Sequence, residues 1–173
     1  MNHPSKYKSN PPKASGVDSV KIQRATQSDV GVAAELIVRM KRLNNEFDPL
    51  FTVVPDAKER AESYVAESLK TPDVLLLVAT AGRKVVGVLR AEVRERVFYL
   101  PSKNGHITDF YILPEFRRKA LGNEMLEKAA VELKKMGAEI VTAEVPSQND
   151  IAVKFYTKRG FRSLLQFFAG KSQ

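Results

Sequence analysis

The run Val74-Leu75-Leu76-Leu77-Val78-Ala79-Thr80 constrains this chain more than any other segment. A continuous apolar stretch of this length suits a strand buried on both faces, not one with a side turned to water. It ends at Ala81-Gly82-Arg83, a short turn into a second strand over residues 85–93, so the two read as a β-hairpin. Helical periodicity lies on either side of this pair. Thr26 or Ser28 offers an N-cap before an apolar stripe at Val32, Leu36, Ile37, Met40 and Leu43, and residues 57–69 read as a second helix that stops at Thr71-Pro72-Asp73. Further on, Leu121, Met125, Leu126, Ala129, Ala130, Leu133 and Met136 mark a long helix stopped by Gly137. Ile151, Ala152, Phe155 and Tyr156 share one side of a short helix that ends at Gly160. Additional strands are expected over residues 20–25, 106–113, 139–145 and 162–168. The order β-α-α-β-β-β-α-β-α-β describes a single α/β domain of the α+β type, with a mixed, mostly antiparallel sheet flanked by about four helices.

A chain of 173 residues fits one such domain. Residues 1–19 are rich in Pro, Ser, Asn and Lys and carry no apolar pattern that could offset the entropy of ordering, so they read as a mobile tail before a domain over residues 20–173. Cysteine is absent, which excludes disulfides, a thiol nucleophile and thiolate metal sites and agrees with a reducing, cytoplasmic setting. Of the two histidines, His3 lies in the tail and His106 stands alone at a strand entry; no metal is expected. No apolar run approaches the roughly 20 residues that span a bilayer, and the N-terminus lacks a signal-peptide core. No membrane association is expected.

The formal charge of +8 points to an anionic partner, a description that a nucleic acid, an acidic membrane surface and a phosphorylated cofactor all meet. Its distribution narrows the choice. Arg117, Arg118 and Lys119 fall in one short segment, and Lys154, Lys158, Arg159, Arg162 and Lys171 follow with no acid among them. No zinc motif, RNA-binding aromatic box or basic helical stripe accompanies this charge, so a nucleic acid is the weaker reading.

Two segments carry chemistry. In the first, Ile112-Leu113-Pro114-Glu115-Phe116-Arg117-Arg118-Lys119-Ala120-Leu121-Gly122, a strand runs through a basic loop into a helix. Unpaired N–H groups and the helix dipole at such a start form a site for phosphate oxygens, and small residues at 120 and 122 let a ligand approach the backbone. A solvated basic turn would look much the same. In the second, residues 149–161, Asn149 could serve only as an N-cap, and Phe155 and Phe161 read as core aromatics. Tyr156 shares a helical face with the small Ala152, which leaves space beside a phenol able to donate a proton.

Together these segments resemble the GNAT superfamily of N-acetyltransferases. Arg117-Arg118-Lys119-Ala120-Leu121-Gly122 stands where that family has Arg/Gln-x-x-Gly-x-Gly/Ala, and Asn149, Ala152, Phe155, Tyr156, Gly160 and Phe161 match its Asn-x-x-Ala-x-x-Phe-Tyr-x-x-x-Gly-Phe block. Arg24-Ala25-Thr26 followed by Asp29 is similar to the family's start. The resemblance runs from about residue 20 to residue 168. It implies an enzyme that moves the acetyl group of acetyl-CoA to a primary amine on a small molecule, a protein lysine or an N-terminus. Main-chain groups of Phe110, Tyr111 and Ile112 would meet the pantetheine arm and acetyl carbonyl. Arg117, Arg118, Lys119, Ala120, Leu121, Gly122 and Asn123 would hold the pyrophosphate, Asn149 would contact the pantetheine, and Tyr156 would protonate the departing thiolate. Glu144 and Asp109 are the alternative general bases, with Glu144 placed first. A homodimer is left open.

One position departs from the family pattern, since Ala120 replaces the first glycine of the loop. A left-handed backbone there would strain alanine by roughly 1–2 kcal/mol, whereas a right-handed start to the helix would cost nothing. The second is expected. Phe47, Phe51, Tyr64 and residues 98–104 are candidate walls for the amine. A non-catalytic acyl-CoA-sensing module is the competing reading, and it would need neither Tyr156 nor a base.

Overall fold

The computed structural model describes residues 20–117 and 120–171. The expected tail, residues 1–19, and Arg118 and Lys119 of the basic loop lie outside the described residues. The elements are β1 (Val20–Arg24), α1 (Val30–Asn44), α2 (Ala57–Ser68), β2 (Val74–Ala81), β3 (Lys84–Glu95), β4 (Lys103–Ile112), α3 (Leu121–Lys135), β5 (Ile140–Ala143) and α4 (Asp150–Thr157). Among the described residues the strands form one sheet in the order β1-β2-β3-β4-β5. The first four are antiparallel neighbours, and β5 joins β4 in parallel. A parallel pair needs a long crossover, which α3 provides. The α/β class expected from the sequence is the class the chain adopts.

The apolar run of β2 lies inside the sheet, between β1 and β3, and Leu75, Leu76, Leu77, Val78 and Ala79 are all buried. Full burial of each leucine contributes roughly 1.5–3 kcal/mol. Helices α1 and α2 cover one face of the sheet, where Ser68 of α2 accepts a hydrogen bond from Arg90 Nε of β3 at 2.8 Å. Helix α3 covers the other. There Gly105 of β4 makes room for Leu133, whose Cδ1 would lie 2.8 Å from any Cβ at that position. Helix α4 packs on the same side as α3, with Phe155 seated against Gly122, where an added Cβ would come within 2.9 Å of the ring.

Both helices that precede a glycine stop are closed in the same way. Gly137 (φ 96°) follows α3, and the N–H groups of Ala138 and Gly137 donate to the carbonyls of Leu133 (2.9 Å) and Lys134 (3.0 Å). Gly160 (φ 82°) follows α4, and Phe161 and Gly160 donate to Tyr156 (3.2 Å) and Thr157 (3.1 Å). These paired bonds satisfy carbonyls at the helix ends, and the positive φ they require favours glycine.

One expected element is missing. Residues 162–171 have no regular structure, so the strand expected over residues 162–168 is not formed. The apolar residues there come in adjacent pairs, Leu164-Leu165 and Phe167-Phe168, and all four are exposed. A half-buried strand hides every second side chain, so no register could cover both members of such a pair.

Candidate active site at the fork of the sheet

The β4–β5 ladder is short. It runs from Asn104↔Ile140 to Ile107↔Ala143 and closes with Glu144 N–H donating to Ile107 O at 3.3 Å. Beyond this point β5 ends while β4 continues to Ile112, so the sheet forks. On its other edge β4 stays paired to β3 as far as Gly87↔Ile112. Leu113 N–H points toward β3, donating to Val86 O at 2.9 Å. By alternation the main-chain groups of Phe110 and Ile112 therefore face the fork, and the Ile112 carbonyl there accepts from Arg117 Nε at 2.9 Å. The Arg117 guanidinium also lies 5.3 Å from the centre of the Tyr111 ring.

The fork leads to the start of α3. A 3-10 turn at Pro114–Phe116 precedes it, and the helix begins after Ala120 with no side-chain cap. Ala120 has φ 59° and ψ −6°, so the right-handed start expected for it is overturned. A left-handed residue lets the chain break from the 3-10 turn into the helix. Its carbonyl accepts the N–H groups of Asn123 (2.8 Å) and Glu124 (3.2 Å), and those of Leu121 and Gly122 precede the first intrahelical donors. A left-handed residue before a right-handed one turns successive N–H groups toward a common point, a concavity suited to an anion. The cost to alanine is roughly 1–2 kcal/mol.

Helix α4 lines the fork on the α3 side. Phe155 meets Phe110 edge-on at 5.7 Å and Tyr156 at 5.2 Å, and Tyr156 meets Phe161 at 5.1 Å. Tyr156 is only 8% exposed, and its hydroxyl has no hydrogen-bond partner among the described residues. Burial pushes this phenol well above its ordinary range, so it keeps its proton. Asn149 caps α4, its Oδ1 accepting from Ala152 N–H at 3.1 Å. Arg159 lies 3.7 Å from the Phe155 ring centre and donates to Asn123 Oδ1 and Phe155 O, tying the end of α4 to the start of α3.

The opposite face of the sheet carries the carboxylates. A β-bulge falls at Thr108, where Ile107 pairs with Ala91 and Asp109 with Arg90. It places His106 and Asp109 on the same face although they lie three positions apart, an odd offset. Asp109 is 1% exposed. Its Oδ2 accepts from Tyr64 (2.9 Å) and Thr108 (2.8 Å), and Oδ1, which receives no well-aligned hydrogen bond, lies 2.7 Å from Lys41 Nζ of α1. Arg90 spans the cluster, donating to Ser68, Glu92 and Thr108 and stacking 4.3 Å from the Tyr64 ring centre. Burial, and then the charge of Asp109, raise the Tyr64 phenol well above its ordinary range. Glu144, by contrast, leaves about half of its side chain in solvent (53% exposed) and meets His106 Nε2 at 3.0 Å.

The match to known proteins follows these elements. The model of the Acetyltransferase (GNAT) family fits residues 40–161, from the later part of α1 to just beyond α4. The chain belongs to that family. Among curated relatives, an N-alpha-acetyltransferase of Sulfurisphaera tokodaii is 28% identical over 107 residues, which cover 58% of this chain and 64% of that protein. The chain thus spans less than two thirds of that relative's length. An aminoalkylphosphonate N-acetyltransferase of Salmonella typhimurium is 26% identical over 143 residues, 82% of this chain and 84% of that one. In fold the chain is similar to a predicted acetyltransferase of Clostridium acetobutylicum crystallised with acetyl-CoA, with a TM-score of 0.72, 14% identity and coverage of 88% and 96%.

Of the residues expected from the GNAT resemblance, Phe110, Tyr111, Ile112, Arg117, Ala120, Leu121, Gly122, Asn123, Asn149 and Tyr156 gather around the fork and the start of α3. Glu144 stands at the fork on the other face, and Asp109 is enclosed beneath α1 and α2. Sequence reasoning missed Lys41, Arg90 and Thr108, which meet only through the bulge, and it missed the pairing of His106 with Glu144. Spacing in the chain offered no signal for either.

Proposed function

We propose that this protein is an acetyl-CoA-dependent N-acetyltransferase whose acceptor is a primary amine. The observation that carries this reading is the free edge of β4 along residues 108–112, which ends at the open N-terminus of α3. An extended thioester arm could add to that edge as a strand would, with its phosphates at the N–H groups of Leu121 and Gly122 and at Arg117. Acetyl-CoA supplies an acyl group already activated as a thioester. Phe110 and Ile112 offer main-chain groups to the arm and carbonyl, and the amide nitrogen of Asn149, not used in its cap, remains for the pantetheine. Arg118 and Lys119 belong to the same basic loop by sequence.

Attack forms a bond from the amine nitrogen to the acetyl carbon and breaks the carbon–sulfur bond. One proton must leave the nitrogen and one must reach the sulfur. Glu144 is the base, since its carboxylate is at the fork and reachable from solvent, whereas both oxygens of Asp109 face partners in a sealed site. Tyr156 is the acid, because its proton is retained and uncommitted. The two curated relatives described above, both named as N-acetyltransferases, agree with the reaction and differ in the amine. On this reading residues 20–173 form the catalytic domain, residues 1–19 precede it, and the cysteine-free chain works in the cytoplasm. Among the described residues no helix is long and apolar enough to cross a membrane.

The test is an amine panel incubated with acetyl-CoA, comprising polyamines, aminoalkyl phosphonates, amino sugars and peptides with free N-termini or lysines. Release of CoA matched by acetylated product with at least one amine supports the proposal. Failure across all classes, with acetyl-CoA bound, would favour an acyl-CoA-sensing module.

A further inference from the structure

The parallel register sets His106 opposite Thr142, and the two side chains join a hydrogen-bonded row that ends at Glu144. The Thr142 hydroxyl donates to Asn104 Oδ1 at 2.9 Å. A hydroxyl has one hydrogen, so toward His106 Nδ1, 2.8 Å away, Thr142 can only accept. His106 therefore carries a hydrogen on Nδ1 and turns Nε2 toward Glu144 Oε2 at 3.0 Å. When the imidazole is neutral, that nitrogen presents a lone pair to the carboxylate.

We infer that His106 is a positioning residue that acts through Glu144, sharing the proton that Glu144 takes from the acceptor amine and holding the carboxylate at the fork once that proton lies between them. This inference rests on the proposed role of Glu144 as base. In the step, the N–H bond of the attacking amine breaks and its proton comes to rest between Oε2 and Nε2. The pair passes from carboxylate and neutral imidazole to carboxylate and imidazolium, so the charge left by the amine is spread over both groups.

The surroundings leave this exchange undisturbed. Glu92 faces His106 across the β3–β4 ladder, but its oxygens are taken by Arg90 at 3.0 Å and Arg94 at 2.6 Å. Asp109, on the same face, is occupied by Lys41, Tyr64 and Thr108. The His106 side chain is largely enclosed, while that of Glu144 opens to solvent. The proton thus enters at the exposed carboxylate and is shared inward.

The decisive experiment is a double-mutant cycle of Glu144→Gln and His106→Gln, with an acceptor found in the amine panel, saturating acetyl-CoA and the acceptor titrated. Glutamine at 106 can still hydrogen-bond to Glu144 but cannot take a proton. His106→Gln should lower kcat roughly tenfold to a hundredfold, a part of what a general base contributes, while KM for acetyl-CoA stays near its wild-type value. In the Glu144→Gln background it should add nothing, because a residue acting through another loses its effect once that other is gone. Wild-type kcat for His106→Gln overturns the inference, and so does an equal loss in both backgrounds, even with Glu144→Gln slow. A full-rate Glu144→Gln would overturn the base assignment itself, and this inference with it. Melting temperatures of all four proteins show whether each is folded at the assay temperature.

Discussion

Asp109 and Glu144 occupy the same face of the sheet, one on each side of the fork, and they sit in opposite surroundings. The first is sealed under α1 and α2, with a cation and two hydroxyls on its oxygens; the second is half in water with one imidazole beside it. Two carboxylates that the sequence offered as alternative bases, Glu144 first, thus differ in whether they are open to an acceptor, and on the proposed reading only Glu144 is reactive. Burial alone does not make that division, as the tyrosines show. Tyr64 and Tyr156 are both held protonated by burial, yet Tyr64 gives its hydrogen to Asp109 at 2.9 Å while Tyr156 has no partner among the described residues. On the proposed reading, what separates a structural polar group from a chemical one here is whether its hydrogen-bonding capacity is already spent.

This comparison breaks if the sealed and open groups fail to trade off stability against turnover. The largest effect is expected at the open site, where Glu144→Gln should slow turnover by roughly a hundredfold to ten-thousandfold, the range of general base catalysis. Its melting temperature should move little, since exposed substitutions fall within about 0.5 kcal/mol. Tyr156→Phe should lower kcat over a similar range, roughly a hundredfold or more, with acetyl-CoA affinity retained. A core tyrosine would do the reverse, and among the described residues the phenol has no hydrogen bond to lose.

At the sealed site the readout is denaturation. Lys41→Met strips the buried Asp109 of its cation and, with Lys41 itself 44% exposed, should cost about 1–3 kcal/mol of stability in a urea melt, with turnover nearly normal below the transition. Loss of turnover in a folded Lys41→Met protein would move Asp109 into the chemistry and erase the distinction. The smallest effect concerns the loop. Ala120→Gly removes the left-handed strain and should raise stability by up to about 1 kcal/mol, the strain relieved less the added entropy of glycine in the unfolded chain. A destabilised Ala120→Gly would contradict the left-handed conformation.

Much of this architecture was legible because it repeats at fixed spacing. The stripe from Leu121 to Met136, the glycine stops at 137 and 160 and the block from Asn149 to Phe161 each depend on neighbours within a few turns of helix, and the structure has them where the pattern put them. The apolar run of residues 74–80 likewise marked a strand inside the sheet, paired on both edges. What the sequence hid depends on register. A bulge at Thr108 brings Asp109 to the face of His106, and only the parallel pairing of His106 with Thr142 lines up the row to Glu144; neither follows from alternation. Residues 162–168 differ for another reason, since their hydrophobicity lacks the alternation that a strand needs. Ala120 misled because alanine is the best helix former, and its identity speaks for the right-handed region that the turn into α3 does not allow.

The claim beneath all of these is that acetyl-CoA binds along the free edge of β4 and at the start of α3. Thermal or urea denaturation at rising acetyl-CoA measures it without knowledge of the amine. A ligand bound only by the folded chain adds about 2.7 kcal/mol at a hundredfold excess over its Kd, so the transition should shift upward steadily with concentration. A transition that stays in place at millimolar acetyl-CoA and CoA would contradict the account.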